Sequence, residues 1–161
     1  MGTGQTHRTQ RAVTPRLRAA LVLALALLPA LACGWLSAGY QFNNPVREAV
    51  YRYERDARGK ADELVIQFNR TEPRVKFEGQ NENGGRTVWL FDLAVKEYFS
   101  LLPPDRTFLY VQSPQYNSDY TQAEVKVYRG RDGSYHGREL TLAHQNNGAW
   151  AVTADTELPP N

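Results

Sequence analysis

Residues 19–40 carry no charged side chain, an apolar run of 22 residues rich in leucine and alanine. Arg8, Arg11, Arg16 and Arg18 precede it, and no acidic residue occurs before Glu48. A basic segment, then an apolar run, then small residues is the pattern of an export signal. The positive-inside bias keeps the amino terminus in the cytoplasm and places everything after about residue 40 on the far side of a membrane. The remainder of the chain is therefore expected to fold outside the cytoplasm.

Three fates are open to this leader. Ala30-Leu31-Ala32 is a small-x-small site at which cleavage leaves Cys33 first. Alternatively, 22 uncharged residues suffice to span a hydrocarbon core of ~30 Å, Pro29 kinking the helix without forbidding it. The third fate rests on Cys33, the sole cysteine. Ala30-Leu31-Ala32-Cys33-Gly34 resembles a bacterial lipobox, with Ala30 departing from the preferred leucine. That resemblance implies lipidation of Cys33 and cleavage before it, which explains an unpaired thiol in an oxidising compartment. The plainer reading makes Cys33 one more small apolar residue of a spanning helix.

The leader also distorts the charge balance. The chain has 19 Lys+Arg and 17 Asp+Glu. With the four leader arginines set aside, 15 basic residues face 17 acidic ones, a net of −2 instead of +2. The basic excess belongs to the leader, so nucleic acid is not expected as a partner. The expected organisation is residues 1–33 as signal or anchor, 34–44 as linker, 45–157 as a single domain and 158–161 as tail. No second cysteine is present to staple that domain, so packing alone must hold it.

Asn44-Pro45 reads as a helix start. After it Val46, Ala49, Val50, Tyr53, Ala57, Ala61, Leu64, Val65 and Phe68 recur at steps of three and four, which predicts one amphipathic helix of about 25 residues. Glu48 with Arg52 and Glu54 with Arg58 support it on the solvent side. The competing reading is a hairpin of residues 49–54 and 63–68 about Gly59; its alternation is poor. Residues 74–79 alternate as a short strand, and 86–91 suit a second strand or the first turns of a helix. A second helix is expected over 93–102, capped by Asp92 and stopped by Pro103-Pro104. Residues 107–112, 124–129, 134–143 and 149–155 then read as strands, with Asp132-Gly133 and Asn146-Asn147-Gly148 as turns. The expected fold is α+β: a long amphipathic N-terminal helix and a second helix packed on a curved antiparallel sheet ending in a four-strand meander.

That element order, with the closing Asn-Asn-Gly-Ala-Trp-Ala-Val of residues 146–152, resembles the nuclear transport factor 2-like (SnoaL-like, cystatin-like cone) superfamily over roughly residues 45–156. The resemblance implies a conical pocket between helix and sheet. The superfamily includes enzymes, ligand binders and envelope assembly subunits, and fold alone does not select among them.

His136 and His144 are the only histidines beyond the leader, and both share the inward parity of Leu140 and Leu142. The resemblance implies that an inward His or Asp can serve as general base, making these two the candidate catalytic residues. Each also sits near a strand end where solvent reaches it. Eight residues apart on one strand, they stand roughly 26 Å apart, too far to share a metal ion. No Gly-x-Ser-x-Gly and no phosphate loop occurs. Neither a metal nor an organic cofactor is expected. Tyr110, Tyr116 and Tyr120 are the candidate ligand- or partner-binding residues, because tyrosines on a loop and sheet suit a pocket mouth or a protein interface. Cross-strand stabilisation explains such aromatics equally well.

These features point to an exported, membrane-anchored, non-enzymatic binding domain of the bacterial envelope, held by residues 19–40 or by acylated Cys33. Its expected ligand is a partner protein or a small apolar molecule. A small hydrolase or isomerase of the same cone, and a structural subunit of an envelope assembly or secretion machine, are the alternatives.

Overall fold

The computed structural model describes residues 40–69, 72, 74–92, 94, 97–98, 104–131 and 134–160. The described residues belong to one compact unit. Helix α1 spans Tyr40–Arg58, β1 Glu63–Phe68, the short helix α2 Glu78–Glu82 and β2 Arg86–Phe91. Strands β3 (Phe108–Val111), β4 (Gln115–Tyr116), β5 (Gln122–Arg131), β6 (Ser134–His144) and β7 (Trp150–Glu157) follow. They form one sheet in the order β2-β1-β3-β5-β6-β7, with β4 beside β5.

The expected fold class is overturned. The described residues are mostly strand, with one long helix, and the sheet is mixed. β1 runs parallel to both β2 and β3, while the pairs from β3 through β5 and β6 to β7 are antiparallel. The single helix expected to run to residue 68 ends at Arg58. Gly59 takes the left-handed conformation (φ 81°), and its N–H bonds the Arg55 carbonyl at 2.7 Å, closing the last turn. Beyond it, Leu64, Val65 and Ile66 are buried on both faces of the sheet. A strand buried on both faces reads as an unbroken apolar run, which mimics helical spacing.

Residues 74–79, expected as a strand, hold no strand; Glu78–Glu82 is helical instead. Gly79 allows this close packing: a Cβ there would stand 2.5 Å from the Tyr51 ring. Its N–H donates to Glu48 at 2.6 Å. Of the expected helix over 93–102 only Ala94 and residues 97–98 are described, so that prediction lies largely outside the described residues. The turn at Asp132-Gly133 lies outside them too.

α1 covers one face of the sheet. Val46, Val50 and Tyr51 pack on a core that includes Leu64, Ile66, Leu109, Val125, Leu140 and Leu142. Each such side chain, fully buried, contributes about 1.5–3 kcal/mol. A smaller cluster of Val65, Phe108 and Tyr110 occupies the other face. Among the described residues no helix is long and apolar enough to cross a membrane. Apart from the backbone of Tyr40, the apolar run of 19–40 lies outside those residues, as does Cys33.

Candidate functional site

α1 buries charge at both of its ends, and the two clusters differ. Near its start, Arg47 is fully buried and pairs with buried Glu72. Arg47 also donates to the Gln67 carbonyl at 2.7 Å and lies 5.5 Å from the centre of the Trp89 ring. Asn43 donates to Glu72 at 2.8 Å and accepts from the Tyr116 hydroxyl at 2.8 Å. Burial pushes the Tyr116 hydroxyl pKa up. Apart from Arg47 Nε, which is buried without a partner, these groups bond one another or the backbone, which suits a structural tie between helix and sheet.

The far end of α1 holds the candidate site. Glu54 is wholly buried, not on the solvent side as its pairing with Arg58 suggests. It continues the row Val46, Val50 at steps of four, so the helix turns it inward onto the sheet. Arg58 donates to Glu54 Oε1 at 2.8 Å, but Glu54 Oε2 has no hydrogen-bond partner. Arg129 comes from β5 in the inward parity of Val125 and Val127. One of its terminal nitrogens donates to the carbonyls of Arg58 and Lys60 at 3.1 and 3.2 Å, capping the exposed end of α1. The other, Nη1, is buried without a partner.

Asp155 on β7 completes the cluster. It accepts from Tyr53 at 2.7 Å, from Arg138 at 2.6 Å and from Arg58 at 3.4 Å. Burial raises the Asp155 pKa, but the hydrogen bonds from Arg138 and Tyr53 outweigh it and hold the carboxyl below its usual range. Glu54 goes the other way: burial holds its carboxyl above the usual range, against the pull of Arg58 and Arg129. Burial lowers the Arg129 pKa, with Glu54 opposing. Two neighbouring carboxyls are thus driven apart by their surroundings.

A cavity of about 320 Å³ opens here, lined by Glu54, Arg58, Val127, Arg129, His136, Arg138 and Glu157. A larger cleft, about 630 Å³, lies along Tyr128, Tyr135 and the Leu158–Pro160 tail. Among the described residues lining it, none has a buried polar atom lacking a partner, so the smaller cavity carries the chemistry.

The sequence candidates scatter. His136 lines both spaces, opposite Arg129 in the β5–β6 register. His144 lies at the other end of β6, its ring 5.1 Å from Trp150 and 5.6 Å from Phe42, with Nε2 3.2 Å from the Gly148 carbonyl oxygen. Tyr116 and Tyr120 pack on each other and on Phe42 beside the start of α1. Tyr110 lies on the opposite face of the sheet, 5.8 Å from Tyr128. Glu54, Arg129 and Asp155 were not singled out from the sequence. The signals existed: Glu54 stands in the apolar row of α1, and Arg129 in the inward row of β5. Among the described residues no group of His, Cys, Asp and Glu is placed to hold a metal ion.

No protein-family model matches this chain, and neither does any curated protein or solved structure with which it was compared.

Proposed function

We propose that this chain is an exported, membrane-anchored binding domain of the bacterial envelope that holds a small ligand in the cavity at the end of α1. One observation carries the reading: Glu54 Oε2 and Arg129 Nη1 are buried, unpartnered and beside a cavity. An unmatched buried donor or acceptor costs about 1–3 kcal/mol, more for a charged group, a cost that a ligand drawing either side chain toward the cavity would offset. The lining residues are mostly charged, but the surface they present to the cavity is mostly carbon, so apolar contact is available to the occupant. The leader supplies the export and the anchor, through residues 19–40 or Cys33.

A second reading, a small hydrolase or isomerase, draws on Glu54. Burial favours its protonated form, the state a general acid needs. Native mass spectrometry of the full-length protein, extracted from membranes in mild detergent, separates the two. A retained small molecule, chemically unchanged on release and lost from Arg129→Met, is the expected result. Steady conversion of that molecule supports the enzyme instead. A wild-type protein that retains no small molecule from its own membranes or from a cell extract offered to it would sink the binding reading.

A further inference from the structure

The larger cleft is built on an alternation of tyrosine and glycine on the sheet face away from α1. Tyr128 and Gly130 on β5 share that outward parity with Tyr135 and Gly137 on β6, and the ladder sets Tyr128 opposite Gly137 and Gly130 opposite Tyr135. Glycine weakens a strand interior and marks a place where something comes close to the backbone. Here the tyrosines do so: a Cβ at Gly137 would stand 2.8 Å from the Tyr128 ring, and one at Gly130 would stand 2.6 Å from the Tyr135 Cβ. Tyr128 and Tyr135 meet edge to face, 5.9 Å between ring centres, and Tyr110 continues the row 5.8 Å beyond Tyr128. Exposure rises along it from 1% at Tyr110 to 39% at Tyr135. Cross-strand packing accounts for the covered rings. It leaves the exposed part of Tyr135 as a lining of the cleft.

Around the rings stand Lys126, Ser134, His136 and Glu157, which bring both donors and acceptors. The surface the cleft presents is about half polar and half carbon, and its one lysine is matched by its one glutamate. The tail forms a further wall. Leu158 N–H donates to the Gly137 carbonyl at 2.9 Å, and Pro159 and Pro160 have no N–H. That wall gives an added strand no backbone donor, which disfavours an extended peptide as occupant. The complement is a neutral molecule with apolar faces and hydroxyl edges.

We propose that this cleft binds a neutral saccharide, a pyranose ring laying its C–H face on Tyr135 and its hydroxyls on Ser134, Lys126 and Glu157. At about 630 Å³ the cleft lies well within the ~300–1,000 Å³ range of ligand pockets. The site goes beyond the smaller cavity and does not depend on what that cavity holds, although His136 and Glu157 line both.

A printed array of neutral and acidic oligosaccharides, probed with the full-length protein in a detergent that has no sugar headgroup, tests this. Retention of at least one neutral oligosaccharide is expected, and isothermal titration with that glycan then gives its affinity. Tyr135→Ala should weaken it at least tenfold. Tyr135→Phe should weaken it by no more than about threefold, because phenylalanine keeps the ring face. If Tyr135→Ala loses the native unfolding midpoint, Tyr135→Leu, which keeps bulk without a planar face, takes its place under the same criterion. An array that retains no glycan overturns the proposal. Retention of acidic glycans alone overturns it in favour of a plain anion site. Unchanged affinity in a folded Tyr135→Ala or Tyr135→Leu protein overturns it as well. Binding of decaproline by a protein that retains no glycan would reassign the cleft to peptides.

Discussion

Glu54 sits where a carboxylate is least comfortable, and its surroundings fix how the protein should respond to pH. Burial raises its pKa in the folded state above the ordinary 4.5, so the folded protein holds a proton that the unfolded chain has released. Stability from this residue is therefore present below about pH 4.5 and is lost as pH rises through the folded-state pKa. Asp155 has the opposite sign. Its depressed pKa gives stability that is present above about 3.8 and fades as pH falls further. Glu54→Gln should thus raise the unfolding midpoint at neutral pH and flatten the decline above pH 4.5. A midpoint lowered at neutral pH, read by circular dichroism, would show that the ion pair with Arg58 outweighs desolvation. At the other end of α1, Arg47 and Glu72 are buried together. Arg47→Met should cost about 3–5 kcal/mol by leaving the buried Glu72 carboxylate without its cation, and adding Glu72→Leu should restore much of it. Urea denaturation of the two variants measures this; equal stability of single and double variants would contradict it.

Among the elements, the boundary between α1 and β1 decides the fold, and it turns on Gly59. Its φ of 81° is one that a side chain disfavours by about 1–2 kcal/mol, while nothing stands within 4 Å of the Cβ position. Gly59→Ala should therefore cost about 1–2 kcal/mol through backbone strain alone, read from the urea midpoint at unchanged slope. A neutral result would mean that the helix end relaxes, and that Gly59 is dispensable as its cap. The same boundary explains what was readable in advance. The strand from residue 122 alternates clearly because one face meets α1, whereas β3 is buried on both faces, and the inward parity of β6 placed His136 and His144 on the helix side. β1 does not alternate, because both of its faces are buried and both of its neighbours are parallel. Its Leu-Val-Ile run then passes for more of the helix before it. The site was obscured for a related reason. Glu54 and Arg58 are four apart and opposite in charge, a pattern that usually marks a solvated face. Only the apolar row of Val46 and Val50 betrays that Glu54 lies inside. His136 emerges from its strand parity, but its neighbours come from α1 and β7, which no local pattern brings together.

At the scale of the whole molecule, the reach of the proposed membrane anchor depends on where α1 begins. The helix opens at Tyr40, whereas Asn44-Pro45 suggested a later start, so a chain acylated at Cys33 has residues 34–39 as its tether. Six residues at full extension reach about 20 Å, which keeps the domain close to the lipid surface. If residues 19–40 instead span the bilayer, no residue separates that segment from α1 in the chain. The two proposed arrangements differ in the freedom they leave the domain, and intact mass distinguishes them. Protein isolated from membranes should begin at Cys33 and carry acyl groups, and Cys33→Ala should abolish both the cleavage and the added mass. A full-length mass in both proteins would overturn the lipoprotein proposal and establish an uncleaved anchor. Held that tightly, the domain would better suit the subunit of a membrane assembly than a receptor free to reorient on a tether.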